Sequence, residues 1–149
     1  KCGNYGCLEA YASGPAIATR ACEVLIREGT ESVILAMVRG KLDDITAQTV
    51  YDAAKQGDPV ASEIVRDTGR YLGAGIANLL NIFNPDIVVI AGGVTAAGDA
   101  LFLPLQAEVR RRAFSPAVRA ARIVAGELPG TAGVVGAAAS FKQQHFGSV

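Results

Sequence analysis

Hydrophobic residues in the first third of the chain recur three and four positions apart, the spacing that places side chains on one face of a helix. This pattern predicts a first helix over residues 13–28, which Gly29 ends. Thr46 is a suitable N-cap for a short second helix that Gly57 would terminate. Residues 30–45 are ambiguous: the apolar run 33–38 could extend a helix or form a short one, and a loop over 40–44 follows it.

A third predicted helix is long. It begins at Asp58-Pro59, since aspartate caps helices and proline is tolerated at the first helical position, and it stops at Asn84-Pro85. Its hydrophobic positions predict one buried stripe. The stripe comprises Ala61, Ile64, Val65, Leu72, Ile76, Leu79, Leu80 and Phe83.

Small residues form a ridge along one side of this third helix, at Gly69, Gly73 and Ala77. Glycine inside a helix costs about 0.5 to 1 kcal/mol relative to alanine, so the glycines at 69, 73 and 75 require compensation by packing or by a ligand. We expect another element of the same chain to pack closely on the ridge. A contact between subunits is the alternative.

The second half of the chain alternates strand and helix patterns. Residues 86–91 form a continuous apolar run, typical of a strand buried on both faces, and Gly92-Gly93 follows it. A helix over residues 99–113, a parallel strand over 122–128 and a closing helix over 131–144 complete the order. The alternation predicts an α/β fold with right-handed crossovers.

The helix over residues 99–113 should place Leu101, Leu105 and Val109 inward, with Pro104 near the first turn, where proline costs little. Its last turn carries a basic cluster of three arginines, residues 110–112. Cations at a helix C-terminus complement the helix dipole, so this cluster is interpreted as a solvated helix end.

Composition narrows the class of protein. The 149 residues are 50% hydrophobic, enough for one domain with a real core, and 14 basic residues balance 14 acidic ones. The zero net charge argues against a nucleic-acid partner. No apolar run approaches the roughly 18 residues that cross a membrane, so a soluble, cytoplasmic protein is expected. Three cysteines suit a disulfide framework poorly, and Cys22 is interpreted as a small buried hydrophobe.

The first nine residues contain the most specific chemistry. Cys2 and Cys7 lie on a glycine-bearing loop, and Glu9 follows two residues after the second cysteine. Two thiolates make half of a tetrahedral zinc shell, and the spacing is longer than the usual two intervening residues. The pair is therefore either part of a metal loop that aims Glu9 at a ligand or two reduced core cysteines.

Two glycine-rich turns follow the predicted strands. Ligands of open α/β sheets gather beyond the carboxyl ends of strands. At Gly92, Gly93 and Val94, a nucleotide phosphate or ribose could reach backbone N–H groups. Gly130 and Thr131 open the last helix, where unpaired N–H groups and the dipole favour an anion. Either turn alone could also be only a tight turn.

Three segments in the correct order resemble the ROK family of bacterial sugar kinases and sugar-responsive repressors. Residues 2–14, CGNYGCLEAYASG, are similar to the zinc and sugar signature of that family. Residues 78–98 resemble its nucleotide-side segment, with Ala91 in place of a common glycine. Residues 128–137 resemble its closing segment, with Pro129 where glycine is common, which makes Gly130 and Thr131 weaker candidates than Gly92 and Gly93.

The resemblance implies an actin-like ATPase fold, related to ribonuclease H, with ATP and sugar in the cleft between two lobes. This chain would be most of the C-terminal lobe: residues 1–14 the zinc and sugar loop, 15–85 a helical segment, and 86–140 the nucleotide side. Cys2 and Cys7 would be two of three cysteine ligands of a structural zinc, the other ligands preceding Lys1. Glu9 would bind sugar hydroxyls.

The implied activity is transfer of the γ-phosphoryl group of Mg-ATP to a hexose, glucose to glucose 6-phosphate in a glucokinase. The family's catalytic aspartate is expected upstream of Lys1, so no catalytic residue is assigned in this chain. The partners would be hexose and ATP, polyphosphate being an alternative donor, with assembly as a dimer or tetramer. The Ser13-Gly14 pair after Glu9 resembles the kinase form of the signature.

Two other functions stay open at this point. A sugar-responsive repressor of the same family would bind an inducer here and carry its helix-turn-helix far upstream. A stand-alone zinc-stapled interaction domain without catalysis would be favoured if the gene began at Lys1.

Overall fold

The computed structural model describes residues 6–128 and 130–147. Its helices are α1 Glu9–Ala12, α2 Gly14–Glu28, α3 Val33–Met37, α4 Ala47–Lys55, α5 Pro59–Phe83, α6 Asp99–Arg112, α7 Ser115–Ala120 and α8 Ala132–Phe146. The strands are β1 Ile87–Ile90 and β2 Arg122–Ala125, and 3₁₀ turns lie at Leu42–Asp44 and Gly93–Ala97. None of the helices within these ranges is long and apolar enough to span a membrane.

Polar side chains begin the main helices where the sequence predicted. The Ser13 hydroxyl accepts the Ala16 N–H at 3.3 Å at the start of α2. Thr46 and Thr49 form a reciprocal capping box at the start of α4. Such caps stabilise a helix by about 1 kcal/mol each, because they satisfy N–H groups that have no partner within the helix. The α5 helix ends at Asn84, which adopts the left-handed conformation with φ of 44°.

Asp58 ties three segments together and settles the ambiguous region. Its carboxylate accepts the Ala61 N–H at 2.8 Å at the start of α5, and its other oxygen accepts from Ser32 Oγ at 2.8 Å and from Val33 N–H at 2.7 Å. The side chain is buried, so these three bonds satisfy a charge that would otherwise be costly inside the protein. The ambiguous region 30–45 therefore contains a separate short helix, α3, which a distant aspartate holds at its start, followed by the 3₁₀ turn Leu42–Asp44.

The glycine ridge of α5 lies directly against α6, which confirms intramolecular packing. A Cβ added at Gly69 would lie 2.6 Å from the carbonyl oxygen of Leu101, and one at Gly73 would lie 2.5 Å from that of Leu105. Leu101, Leu105 and Val109 are buried, as predicted. Pro104 does not lie in the first turn of α6 as predicted: it is inside the helix, where its ring packs near Gly69.

The core has two clusters that share α5. The first joins α2, α3 and α4 to the first half of α5, and the second joins the later part of α5 to α6, α7 and β1. Tyr51 in the first cluster is buried, and its burial raises the pKa of the phenol to about 12.

The sheet consists of β1 and β2, parallel, with Ile87 opposite Arg122 and Ile90 opposite Ala125. The prediction of a strand buried on both faces is wrong for these described residues. Alternate side chains of a strand point to opposite faces. Val88 and Ile90 face the second core cluster, whereas Val89 on the other face is 56% exposed.

Two residues of the predicted α5 stripe also lie outside the core. Leu79 and Phe83 are 44% and 70% exposed, because the last turns of α5 carry apolar residues on more than one face. The short helix α7 had no counterpart in the prediction, and β2 is shorter than predicted. The closing helix α8 is present, but it has no buried residue within the described part of the chain.

Two arginines at the end of α6 pair with Glu108 on the same helix. Arg111 donates to its carboxylate at 3.0 and 2.6 Å, and Arg112 donates to it as well. These hydrogen bonds lower the pKa of Glu108 to about 2. The basic cluster therefore lies at a helix end, as predicted, and two of its arginines also bind Glu108.

The lowered pKa of Glu108 predicts an acid-dependent loss of stability. A carboxyl group whose pKa is lower in the folded chain stabilises it fully above its unfolded pKa of about 4.5, and loses that effect as pH falls toward about 2. We expect the difference in unfolding free energy between wild type and Glu108→Gln to be constant from pH 7 to 5 and to shrink below pH 4.5. Urea unfolding at each pH measures it, and a pH-independent difference would contradict the assignment.

Candidate functional site

Glu9 lies in the first turn of α1, and its side chain is exposed. The carbonyl of Glu9 accepts the Ser13 N–H at 3.1 Å, so α1 passes directly into the cap of α2. A helix of 4 residues is too short to be stable by itself, because nucleation costs more than so few hydrogen bonds return. The direction of the Glu9 carboxylate therefore depends on tertiary contacts of α1.

Three such contacts hold α1 against α5 and α2. Leu8 fills the space beside Gly75, where an added Cβ would lie 2.9 Å from a Leu8 methyl group. The ring of Tyr11 packs on that of Tyr71, with 5.1 Å between centroids. Arg20 donates a hydrogen bond to the Tyr11 carbonyl. The cost of a glycine inside α5 at position 75 is thus compensated by packing of Leu8, the residue just before Glu9.

The zinc prediction falls only partly on the described residues. Cys7 is half-buried just before α1, whereas Cys2 lies outside the described residues. Between residues 6 and 147, Pro129 apart, no group of three or more His, Cys, Asp or Glu side chains is placed to hold a metal ion. The residues described do not by themselves make a zinc site, and zinc stays a prediction.

Cys22, interpreted from the sequence as a small buried hydrophobe, is half-buried in α2. It packs against the first core cluster and donates to the Leu42 carbonyl at 3.4 Å. Burial, with a further contribution from the nearby Asp43 charge, raises the pKa of the thiol. A raised pKa disfavours the thiolate, which is the form that binds metals.

The first glycine turn follows β1 and is open to solvent. Gly92 has φ of 96°, a conformation that favours glycine, and the Gly93–Ala97 turn comes next. The Thr95 hydroxyl donates to the Gly92 carbonyl at 2.9 Å and closes the turn. A Cβ added at Gly92 or Gly93 would meet nothing within 4 Å, so a ligand can approach this backbone without displacing side chains.

Val94 plays a different part from the two glycines. Its side chain packs against both core clusters, so it anchors the turn from within.

The second glycine turn lies at the same edge of the sheet. Because β1 and β2 are parallel and Ile90 is opposite Ala125, the segments after them leave together. Gly130 has φ of 77°, and Thr131 is exposed at the start of α8 without a side-chain cap. The predicted nucleotide residues are therefore brought to one sheet edge. Pro129 lies outside the described residues.

The family model of the ROK family matches residues 1–144. The chain belongs to the ROK family. This result confirms the resemblance drawn from the three segments, and solved structures of ROK proteins support the α/β fold.

Both kinases and regulators are among the relatives of this ROK chain. It is 36% identical to a glucokinase from Thermotoga maritima over 146 residues, 96% of this chain and 44% of that protein. It is 45% identical over 103 residues to the DNA-binding transcriptional dual regulator NagC of Escherichia coli, 69% of this chain and 23% of that protein. The chain thus spans less than half of either relative.

A solved structure covers nearly the whole chain. The ROK family glucokinase from Streptomyces griseus, crystallised with glucose and AMPPNP, matches with a TM-score of 0.80 and 37% identity. The match covers 92% of this chain and 45% of that one. The described α/β arrangement of this chain is therefore similar to that of a portion of this ROK glucokinase.

The structure also shows residues that sequence reasoning missed. Arg20 has no assigned role in the sequence analysis, but it is half-buried and contacts Tyr11, Thr68 and Tyr71. The partners of Arg20 are up to 51 positions away along the chain, so local patterns could not reveal them. The one signal in the sequence was Gly75, a glycine inside a helix that required a packing partner on this side of α5.

Proposed function

We propose that this chain is the C-terminal part of an ATP-dependent hexose kinase, with glucose as the first candidate substrate. The likeness to a ROK glucokinase that holds glucose and AMPPNP, over 92% of the chain, is the observation that carries the proposal. The two predicted sites add chemical support. Glu9 offers an exposed carboxylate to sugar hydroxyls, and the Gly92-Gly93 turn offers backbone N–H groups that no side chain covers to a nucleotide.

Glu9 is proposed to bind the sugar. An ionised carboxylate accepts hydrogen bonds from hydroxyl groups, and each such bond to a charged group contributes about 1.5 to 3 kcal/mol. Two bonds from neighbouring hydroxyls would orient the ring and select which hydroxyl faces the phosphate. The braced position of α1 makes this orientation reproducible, because Glu9 starts a helix fixed on α5.

The turns at Gly92-Gly93 and Gly130-Thr131 are proposed to bind the nucleotide of Mg-ATP. Backbone N–H groups at such turns approach phosphate or ribose oxygens closely where no Cβ intervenes. Positioning and charge neutralisation supply most of the acceleration in phosphoryl transfer. The proton acceptor for the sugar hydroxyl is assigned to no residue of this chain. The chain is proposed to form the C-terminal lobe of a two-lobed, actin-like, cytoplasmic and oligomeric enzyme.

A coupled assay of the full-length protein tests the kinase proposal. ADP release is followed with glucose, mannose, fructose and N-acetylmannosamine, with ATP or polyphosphate as the donor. We expect turnover with at least one hexose and ATP. If no sugar supports ATP consumption while the folded protein binds operator DNA, the kinase proposal is wrong.

A sugar-responsive repressor is the second candidate function, favoured by the 45% identity to NagC. In that case Glu9 would bind an inducer instead of a reacting sugar. The Ser13-Gly14 pair after α1 favours the kinase. A gel-shift measurement with promoter DNA, repeated with sugar, distinguishes the candidates, because an inducer releases the DNA and a kinase substrate has no such effect.

Zinc is proposed as a structural ion held in part by Cys2 and Cys7. Metal ligation by thiolates contributes folding free energy of about 10 to 16 kcal/mol in small zinc peptides. We expect Cys7→Ser in the full-length protein to lower zinc content and to loosen the loop before α1. Elemental analysis measures the first effect, and Cys22→Ser is the matched control. Equal zinc content in the two variants would contradict the role of Cys7.

A further inference from the structure

Arg20 of α2 connects α1 to α5 through polar contacts. Its guanidinium donates to the carbonyl of Tyr11 in α1 and to Thr68 Oγ1 in α5 at 3.3 Å, and it lies 5.0 Å from the centre of the Tyr71 ring. One side chain of α2 thereby contacts both the helix that begins with Glu9 and the helix on which it rests.

The contact with Tyr11 has a specific electrostatic role. The last carbonyls of a helix have no partner within it and form the negative end of its dipole. Tyr11 is in the last turn of α1, and its carbonyl receives a charged donor from Arg20. Hydrogen bonds to charged groups are stronger than neutral ones, so this contact ends α1 firmly where its own 4 residues cannot.

Thr68 is a well-fixed acceptor for the Arg20 guanidinium. Its side chain is fully buried, and its hydroxyl donates to the Ile64 carbonyl at 2.8 Å, which leaves the oxygen lone pairs for Arg20. Tyr71 contributes a cation–π contact and at the same time packs on Tyr11. Thr68 and Tyr71 of α5 thus fix the position of the guanidinium, which in turn binds the Tyr11 carbonyl of α1.

We infer that Arg20 is a positioning residue for sugar binding, which it serves by holding α1 so that the Glu9 carboxylate points in one direction. This inference rests on the proposed function. Arg20 does not contact the sugar: it acts through the Tyr11 carbonyl, and Glu9 is two residues earlier in the same helix. Lysine would reproduce the charge on a single donor nitrogen, but not the simultaneous contacts with Tyr11, Thr68 and the Tyr71 ring.

The test is a double-mutant cycle in the full-length protein. We expect Arg20→Met to raise the KM for the sugar about tenfold and to leave the KM for ATP within about twofold, since a lost charged hydrogen bond is of this size. Arg20→Lys should recover part of the loss. In a Glu9→Gln background, Arg20→Met should add less than about twofold, because residues acting through one another are not additive.

The control is Arg27→Met, also in α2, whose side chain is 71% exposed and pairs with the adjacent Glu28. It should change neither KM. An unchanged sugar KM in Arg20→Met, equal changes in both KM values, or full additivity with Glu9→Gln would overturn the inference while leaving a working kinase.

Hydrogen exchange separates this inference from the proposed function. In Arg20→Met, the amides at the end of α1 and at Ser13 should exchange about tenfold faster, whereas those of α6 should not change. This measurement needs no sugar and no turnover. If wild type phosphorylates no hexose, the proposed function fails, and unchanged exchange at α1 would independently show that Arg20 does not hold the helix.

Discussion

Gly73→Ala should destabilise the protein by about 2 to 3 kcal/mol, although alanine is the better helix former by about 1 kcal/mol. The added methyl carbon would lie 2.5 Å from the Leu105 carbonyl oxygen and 2.8 Å from Cβ of Glu108. Backbone atoms cannot rotate away, so α5 and α6 must separate. Separation would also disturb the buried residues Leu105 and Val109.

Urea unfolding followed by circular dichroism measures the effect of Gly73→Ala. Gly136→Ala is the matched control, because Gly136 lies within α8 and a Cβ there would meet nothing within 4 Å. The control should be neutral or stabilising by up to about 1 kcal/mol. Equal effects of the two substitutions would mean that α5 and α6 are not in close contact at Gly73.

Glu9→Gln should lower kcat/KM for the sugar about 10- to 100-fold and leave the fold intact. The amide keeps the shape of the side chain but loses its charge, and a hydrogen bond to a charged group is worth about 1.5 to 3 kcal/mol. The exposed position of Glu9 means that little of the fold depends on it. Steady-state kinetics of the full-length protein measure the loss, and calorimetry of sugar binding measures it without turnover.

Glu31→Gln controls for a general effect of removing one exposed negative charge, since Glu31 lies in the segment before α3. It should leave kcat/KM for the sugar within about twofold. If Glu9→Gln behaves like Glu31→Gln while the enzyme is active, Glu9 does not bind the sugar. A loss in Glu9→Gln accompanied by unfolding would assign the residue to structure instead.

The elements that local chemistry determines were predicted closely. Asp58-Pro59 and Thr46 begin helices because their side chains satisfy N–H groups only a few residues away, and Asn84 ends one because it tolerates the left-handed conformation. The glycine ridge also predicted close packing correctly, since glycine in a helix is costly without it. What the ridge could not predict was the partner, including Pro104 inside α6.

The residues of the candidate site stay predictions, and the structure shows how the segments that carry them are built. The turns after the strands were found from glycines that follow apolar runs, and the parallel register then brought both turns to one edge. The inward side chain of Val94 could not be foreseen, because it depends on where α4 and α6 lie relative to the turn. The exposed side chain of Val89 could not be foreseen either. An apolar run predicts a strand, but it does not show whether another element packs on each face of that strand.

By itself the sequence determined the ROK membership and the helix ends, because each depends on neighbours within a few positions, and it supplied the residues proposed to bind sugar and nucleotide. Only the tertiary structure decided how Glu9 is held. Arg20 lies 48 positions before Thr68, and Tyr71 follows Thr68 on the same helix. Only the packing of α1 and α2 on α5 brings the Arg20 guanidinium to the Thr68 hydroxyl and the Tyr71 ring, beside the helix that Glu9 begins.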